Sequence, residues 1–181
     1  MFVQPVALQP IPEYARIASP VLTSVLMRML ADPAALTNAL DDGFRCMESR
    51  QPELAEFIAG ELSQVDGPRP QALAYFLAVL VYLAFEEAFG ARLSAVARVD
   101  VVQTLERLVT DGELRSGGAA GPSYSEDAIA MGQPALIELL RSEVDRAVEE
   151  SPQDVSWQHM DAIYETLLVE LLVLTQAVAP S

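Results

Sequence analysis

The chain has 181 residues, 51% of them hydrophobic, with 26 acidic against 11 basic side chains and a formal charge of −15. That length suits one domain with a sizeable core, and apolarity this high is the opposite of what keeps a chain disordered. Every basic residue is an arginine, which excludes a phosphate loop ending in Gly-Lys, a lysine Schiff base and a kinase-type lysine.

The scattered arginines also argue against nucleic-acid binding, which depends on neutralising phosphates. The lone cysteine, Cys46, excludes an intramolecular disulfide and a thiolate zinc cage. The start Met1-Phe2-Val3-Gln4-Pro5 has no charged leader followed by an apolar stretch, and the run from Ala72 to Phe85 is short for a bilayer. A cytoplasmic protein with no membrane partner is the expectation. The use of Ala, Arg and Leu in place of Lys and Asn indicates a GC-rich, bacterial-type source.

Residues 1–18 hold Pro5, Pro10 and Pro12 among aliphatic residues and read as an extended arm preceding one helical domain, 19–181. Helix starts are then marked by a capping residue followed by proline. Ser19-Pro20 opens a helix to about Leu30, and Asp32-Pro33 opens another to about Arg50. Gln51-Pro52 opens a third, with Leu54, Phe57, Ile58, Leu62 and Val65 on one face. From Pro70 to Phe89 the middle is apolar all round, which predicts a central, buried helix that Gly90 bends or stops. Asp100 caps the next helix, which ends near Asp111-Gly112.

The stretch 116–122 is a flexible loop by composition, and Ser123 to Glu126 has capping-box spacing for a short helix. Gln133-Pro134 opens a helix to about Glu150, and a last helix runs from about Val155 to Val178. No stretch alternates as a strand would. The prediction is therefore an all-α bundle of about seven to eight helices.

One pattern repeats. Gln51-Pro-Glu-Leu-Ala-Glu-Phe-Ile-Ala-Gly-Glu-Leu62 aligns with Gln133-Pro-Ala-Leu-Ile-Glu-Leu-Leu-Arg-Ser-Glu-Val144, and a long apolar helix follows each. The expectation is an internal repeat of 51–90 in 133–178, forming two helical hairpins about a pseudo-two-fold. The competing reading is that amphipathic helices opened by Gln-Pro resemble one another by composition.

No catalytic or cofactor motif stands out. A nucleophile pair of Cys46 with His159, the lone histidine, is weaker than the reading of Cys46 as a small buried hydrophobe. Glu86, Glu165 and Glu170 are the candidate metal ligands, because they interrupt or end apolar helices where an ionised carboxylate is costly unless paired. One histidine cannot supply the two Glu-x-x-His pairs of a ferritin-like centre, which leaves an all-oxygen site for a divalent cation. The stronger reading pairs these acids with arginines such as Arg92, Arg98 or Arg141, Glu170 above all. Tyr75 and Tyr82 read as core or interface.

The absence of catalytic vocabulary, the apolar content and the acidic charge favour a non-enzymatic interaction or accessory protein acting as a homodimer. A metal- or small-molecule-binding bundle is the alternative. A third reading is an immunity- or antitoxin-like inhibitor, whose acidic surface meets a basic protein partner.

Overall fold

Prolines set where several helices begin, since a residue without an N–H is at no disadvantage in the first turn. The computed structural model describes residues 11–116, 129–150 and 157–180. In it α1 spans Ser19–Leu30, α2 Leu36–Arg50, α3 Pro52–Leu62 and α4 Pro68–Phe89. Then come α5 (Arg98–Ser116), α6 (Pro134–Glu150) and α7 (Trp157–Ala177). The protein is an all-α multi-helix bundle. Among the described residues the extended pairing is limited to an isolated antiparallel bridge between Leu93 and Val178.

Several boundaries differ from the sequence expectation, for local reasons. Asp32-Pro33 makes a turn, with the Asp32 carboxylate accepting from the Ala34 N–H at 2.9 Å, and α2 starts only at Leu36. The helix expected from Asp100 begins at Arg98 and runs on to Ser116, past Gly112. Gly90 does stop α4: its φ of 45° lies in the left-handed region that turns the chain out of the helix. Most of the expected loop 116–122 and of the short helix after it lies outside the described residues, although 129–132 are helical.

The centre is α4 against α7. Leu77 through Tyr82 on α4 are all fully buried, as are Val169, Leu171 and Leu174 on α7. Taken as a helix, Pro68–Arg92 is long and apolar enough to cross a bilayer, contrary to the expectation above. Its most apolar window is 56% buried inside the bundle, the position of a core helix. Around the pair, α1 packs on α4 while α5 packs on α7. Between the first half, α1 to α4, and the second, α5 to α7, α3 meets α5 and α7, and α6 meets α1 and α4.

Two glutamines tie these halves together. The expected role of Gln51 was to cap α3, but its side chain makes no such bond. It reaches the extended segment before α5: Gln51 Nε2 donates to Ser94 O at 2.9 Å, and the Val96 N–H donates to Gln51 Oε1 at 2.7 Å. Gln133 does the same to the extended segment before α1, donating to Ala15 O at 2.6 Å and accepting from the Ile17 N–H at 2.9 Å. Each amide thus satisfies a carbonyl and the N–H two residues later, as a neighbouring strand would. Both glutamines are buried.

Buried positions correspond around the clamps. Leu22, Val25 and Met29 on α1 match Val101, Thr104 and Leu108 on α5. Leu54, Ala55, Ile58 and Leu62 on α3 match Leu136, Ile137, Leu140 and Val144 on α6. Tyr75, Leu83 and Ala88 of α4 align with Tyr164, Leu172 and Ala177 of α7, which sets Val81 opposite Glu170.

The N-terminal segment is further pinned by Arg16, which donates to Gly132 O at 3.0 Å. At Gly132 an added Cβ would lie 2.4 Å from Ile11 Cβ, so only glycine lets the arm lie this close. Removing either clamp strands buried backbone groups. Gln51→Ala and Gln133→Ala should each lower the unfolding free energy by about 2–4 kcal/mol in denaturant titrations, well beyond an exposed Gln64→Ala control.

Candidate functional site

Burial decides what each candidate acid can do. Glu86 ends α4 beside Arg50 of α2, and the two form a salt bridge. Glu87 next to it pairs with Arg28 of α1 at 2.6 Å. Glu165 and Asp161 stand exposed on α7. The fold therefore does not gather Glu86, Glu165 and Glu170 into one site. Among the described residues no group of three His, Cys, Asp or Glu side chains is placed to hold a metal ion.

Glu170 lies fully buried in the interior stretch of α7, and neither carboxyl oxygen has a hydrogen-bond partner. The expected arginine pairing is overturned. Arg92 donates to Ala179 O at 2.8 Å and stacks over Phe89, and Arg98 faces Glu56 at 3.6 Å. Arg141 lies on α6 at a shallow surface depression with Glu138 and Asp145. Each of these guanidiniums reaches water or other partners, whereas Glu170 is fully buried with no bonding partner. Burial alone pushes the Glu170 carboxyl well above its ordinary range, because no charge compensates the loss of water.

The neighbouring polar groups of α7 are satisfied. The Thr166 hydroxyl donates to Ala162 O at 3.0 Å, and Thr175 Oγ1 lies 3.4 Å from the Gln133 amide. The orphaned carboxyl is thus a feature of one residue and not of a polar core.

On the opposite side of α4, polar groups come in pairs. Cys46 Sγ and the Tyr82 hydroxyl are 3.3 Å apart, and the Tyr75 hydroxyl donates to Asp41 at 3.5 Å. Both phenols are raised above their ordinary value. Burial is the larger cause in each, followed by Asp41 for Tyr75 and by Cys46 for Tyr82. Tyr82 is core and Tyr75 half-buried, as expected. The thiol meets a phenol that loses its proton only at high pH, an arrangement that does not generate a nucleophile.

A surface cleft of 350 Å³ lies between the N-terminal segment, α5 and α7. Tyr14, Asp100, Gln103, Thr104, Arg107, Thr175 and Gln176 supply its polar wall. One acid, one base, hydroxyls and amides can bind a small polar molecule, but no nucleophile–base pair stands among them. Of this wall, sequence reasoning singled out Asp100, as the cap of a helix. The arm that completes the cleft is brought there by Gln133, from far along the chain.

No protein-family model, no curated protein and no solved structure matches the chain.

The Arg50–Glu86 pair is half-open to water, so its contribution is small. Glu86→Gln should change the unfolding free energy by less than about 1 kcal/mol, and this difference should shrink in high salt. A larger loss in calorimetry would assign Glu86 a role beyond this pair.

Proposed function

We propose that the protein is a non-enzymatic helical interaction or accessory protein that acts as a homodimer in the cytoplasm, with α5 as its contact face. The observation that carries this reading is a stripe of exposed valines on α5. Val99, Val102 and Val109 are 56%, 46% and 44% exposed, and helical periodicity sets them within one narrow face. Glu106 lies among them and gives the stripe a polar mark that fixes register. An apolar stripe on a protein of charge −15 favours a contact that covers it, since repulsion elsewhere keeps the rest of the surface apart.

The paired clamps support a second element of the reading, that the two halves arose by duplication of one helical unit. Gln51 holds the extended segment of the second half and Gln133 that of the first, the reciprocal arrangement that a two-fold of identical units would give.

The ligand-binding alternative is favoured by one observation, the unpartnered Glu170. A metal at that carboxylate would raise the melting temperature on addition of the ion and lower it with chelator.

Sedimentation velocity at micromolar concentration separates the readings. The parent should sediment as a dimer and Val102→Glu as a monomer of unchanged helicity, because the new charge would be buried without a counter-ion. A monomeric parent with a metal-dependent melting temperature would instead support the ligand-binding alternative. Salt-sensitive capture of a basic protein by a monomeric parent would support the inhibitor reading.

A further inference from the structure

An ionised carboxylate with neither water nor partner is not tolerated in a packed apolar interior, so a residue in this position either keeps its proton or opens the structure around it. Glu170 is in this position: it is fully buried, and both oxygens are unbonded. The helices against α7 are α4, α5 and α3, and their ionisable groups are engaged elsewhere or lie at the surface. On α4, Tyr75, Tyr82, Glu86 and Glu87 bond to Asp41, Cys46, Arg50 and Arg28, all on the side of α1 and α2. On α5, Arg98 faces Glu53 and Glu56 of α3, Asp100 accepts from the Ala97 N–H, Glu106 is exposed, and Arg107 lines the surface cleft. Glu61 at the end of α3 is exposed, and so is Glu165 on α7 itself. Each of these groups therefore has a partner or an outlet of its own away from the carboxyl, and both Glu170 oxygens are without a hydrogen-bond partner.

We propose that Glu170 is a proton-operated latch of the central helix pair: α7 closes on α4 with the carboxyl protonated, and loss of that proton opens the pair to water. The group the site exchanges is a proton, since the carboxyl is fully buried and neither oxygen has a bonding partner. The balance is simple. Closing takes up one proton from solvent onto a Glu170 oxygen, and opening returns it. The device is independent of the homodimer reading, because it concerns the interior of one copy.

The sign of the linkage follows. The closed state holds its proton to higher pH than the unfolded chain does, so stability from this group is fully present below the ordinary carboxylate range and is lost as pH rises. Across the window between the two values, the folded-to-unfolded ratio falls about tenfold for each pH unit. Glu170→Gln has the shape of the protonated acid and cannot ionise, so it should remove this slope.

The test is denaturant unfolding of the full chain and of Glu170→Gln from about pH 5 to about pH 8. The other carboxylates are common to both proteins and cancel in the comparison. The two should agree at the acid end and diverge with rising pH, the parent becoming the weaker. Parallel curves would overturn the proposal. A readout on the unaltered protein guards against a variant that fails to fold. Infrared spectra at neutral pH should show the carbonyl stretch of a protonated carboxyl, which fades on alkalinisation as amide exchange in α4 and α7 accelerates beyond its intrinsic pH dependence. Absence of that band, or its fading with no change in exchange protection, would equally overturn the latch.

Discussion

Two helices that are apolar on every side can be satisfied only by being surrounded, and that constraint organises this fold. Neither α4 nor α7 has a polar stripe wide enough to meet water along its middle. Packed against one another, each covers a face of the other and leaves the remaining faces to be clothed by shorter amphipathic helices. α1 and α2 cover α4, while α5 covers α7. α3 and α6 then close across the boundary between the halves. The order of the helices along the chain thus follows from which surfaces the central pair leaves open.

Burial of that pair creates a second requirement. The chain must enter α1 and α5 beside the core, and there its backbone is extended, with Ala15, Ile17 and Val96 turned inward and cut off from water. Unpaired buried backbone groups are costly, and the solution used twice here is a glutamine amide, which offers a donor and an acceptor with strand-like spacing. Because each glutamine serves the other half, neither half has its entry segment satisfied on its own. The clamps bind the start of α3 to the entry of α5 and the start of α6 to the entry of α1.

This logic was partly legible in the sequence. The all-round apolarity of residues 70–89 announces a central helix, and Pro20, Pro52 and Pro134 announce starts, because both signals are local. The start of α2 was misplaced for a local reason too, since Asp32-Pro33 suits a turn as well as a helix N-terminus. Gln51 and Gln133 were visible as a repeated Gln-Pro pair, yet their work could not be read, because their partners at 94–96 and 15–17 are brought near only by the tertiary fold. The same limit explains Glu170. A sequence shows that an acid interrupts an apolar helix, and pairing with an arginine is the ordinary resolution. Whether an arginine can reach depends on depth, and here Arg92 and Arg98 are held at the surface by other acceptors.

The comparison of Val81 with Glu170 separates what the architecture needs from what it merely carries. Val81 occupies the corresponding place on α4 and packs there, fully buried, with no polar atom to satisfy. An apolar side chain therefore meets the packing demand at that depth, and the carboxyl adds a cost without a compensating bond. The exterior offers a parallel case. On α5, Val99 and Val102 are exposed where the corresponding positions on α1 are Pro20 and Thr23. Local rules that hold throughout a fold and fail at a few residues point to those residues as the ones kept for something other than folding. These departures fall on α5 and α7, which pack on one another, while at Val109 the two helices agree, since Leu30 stands exposed at the corresponding place on α1.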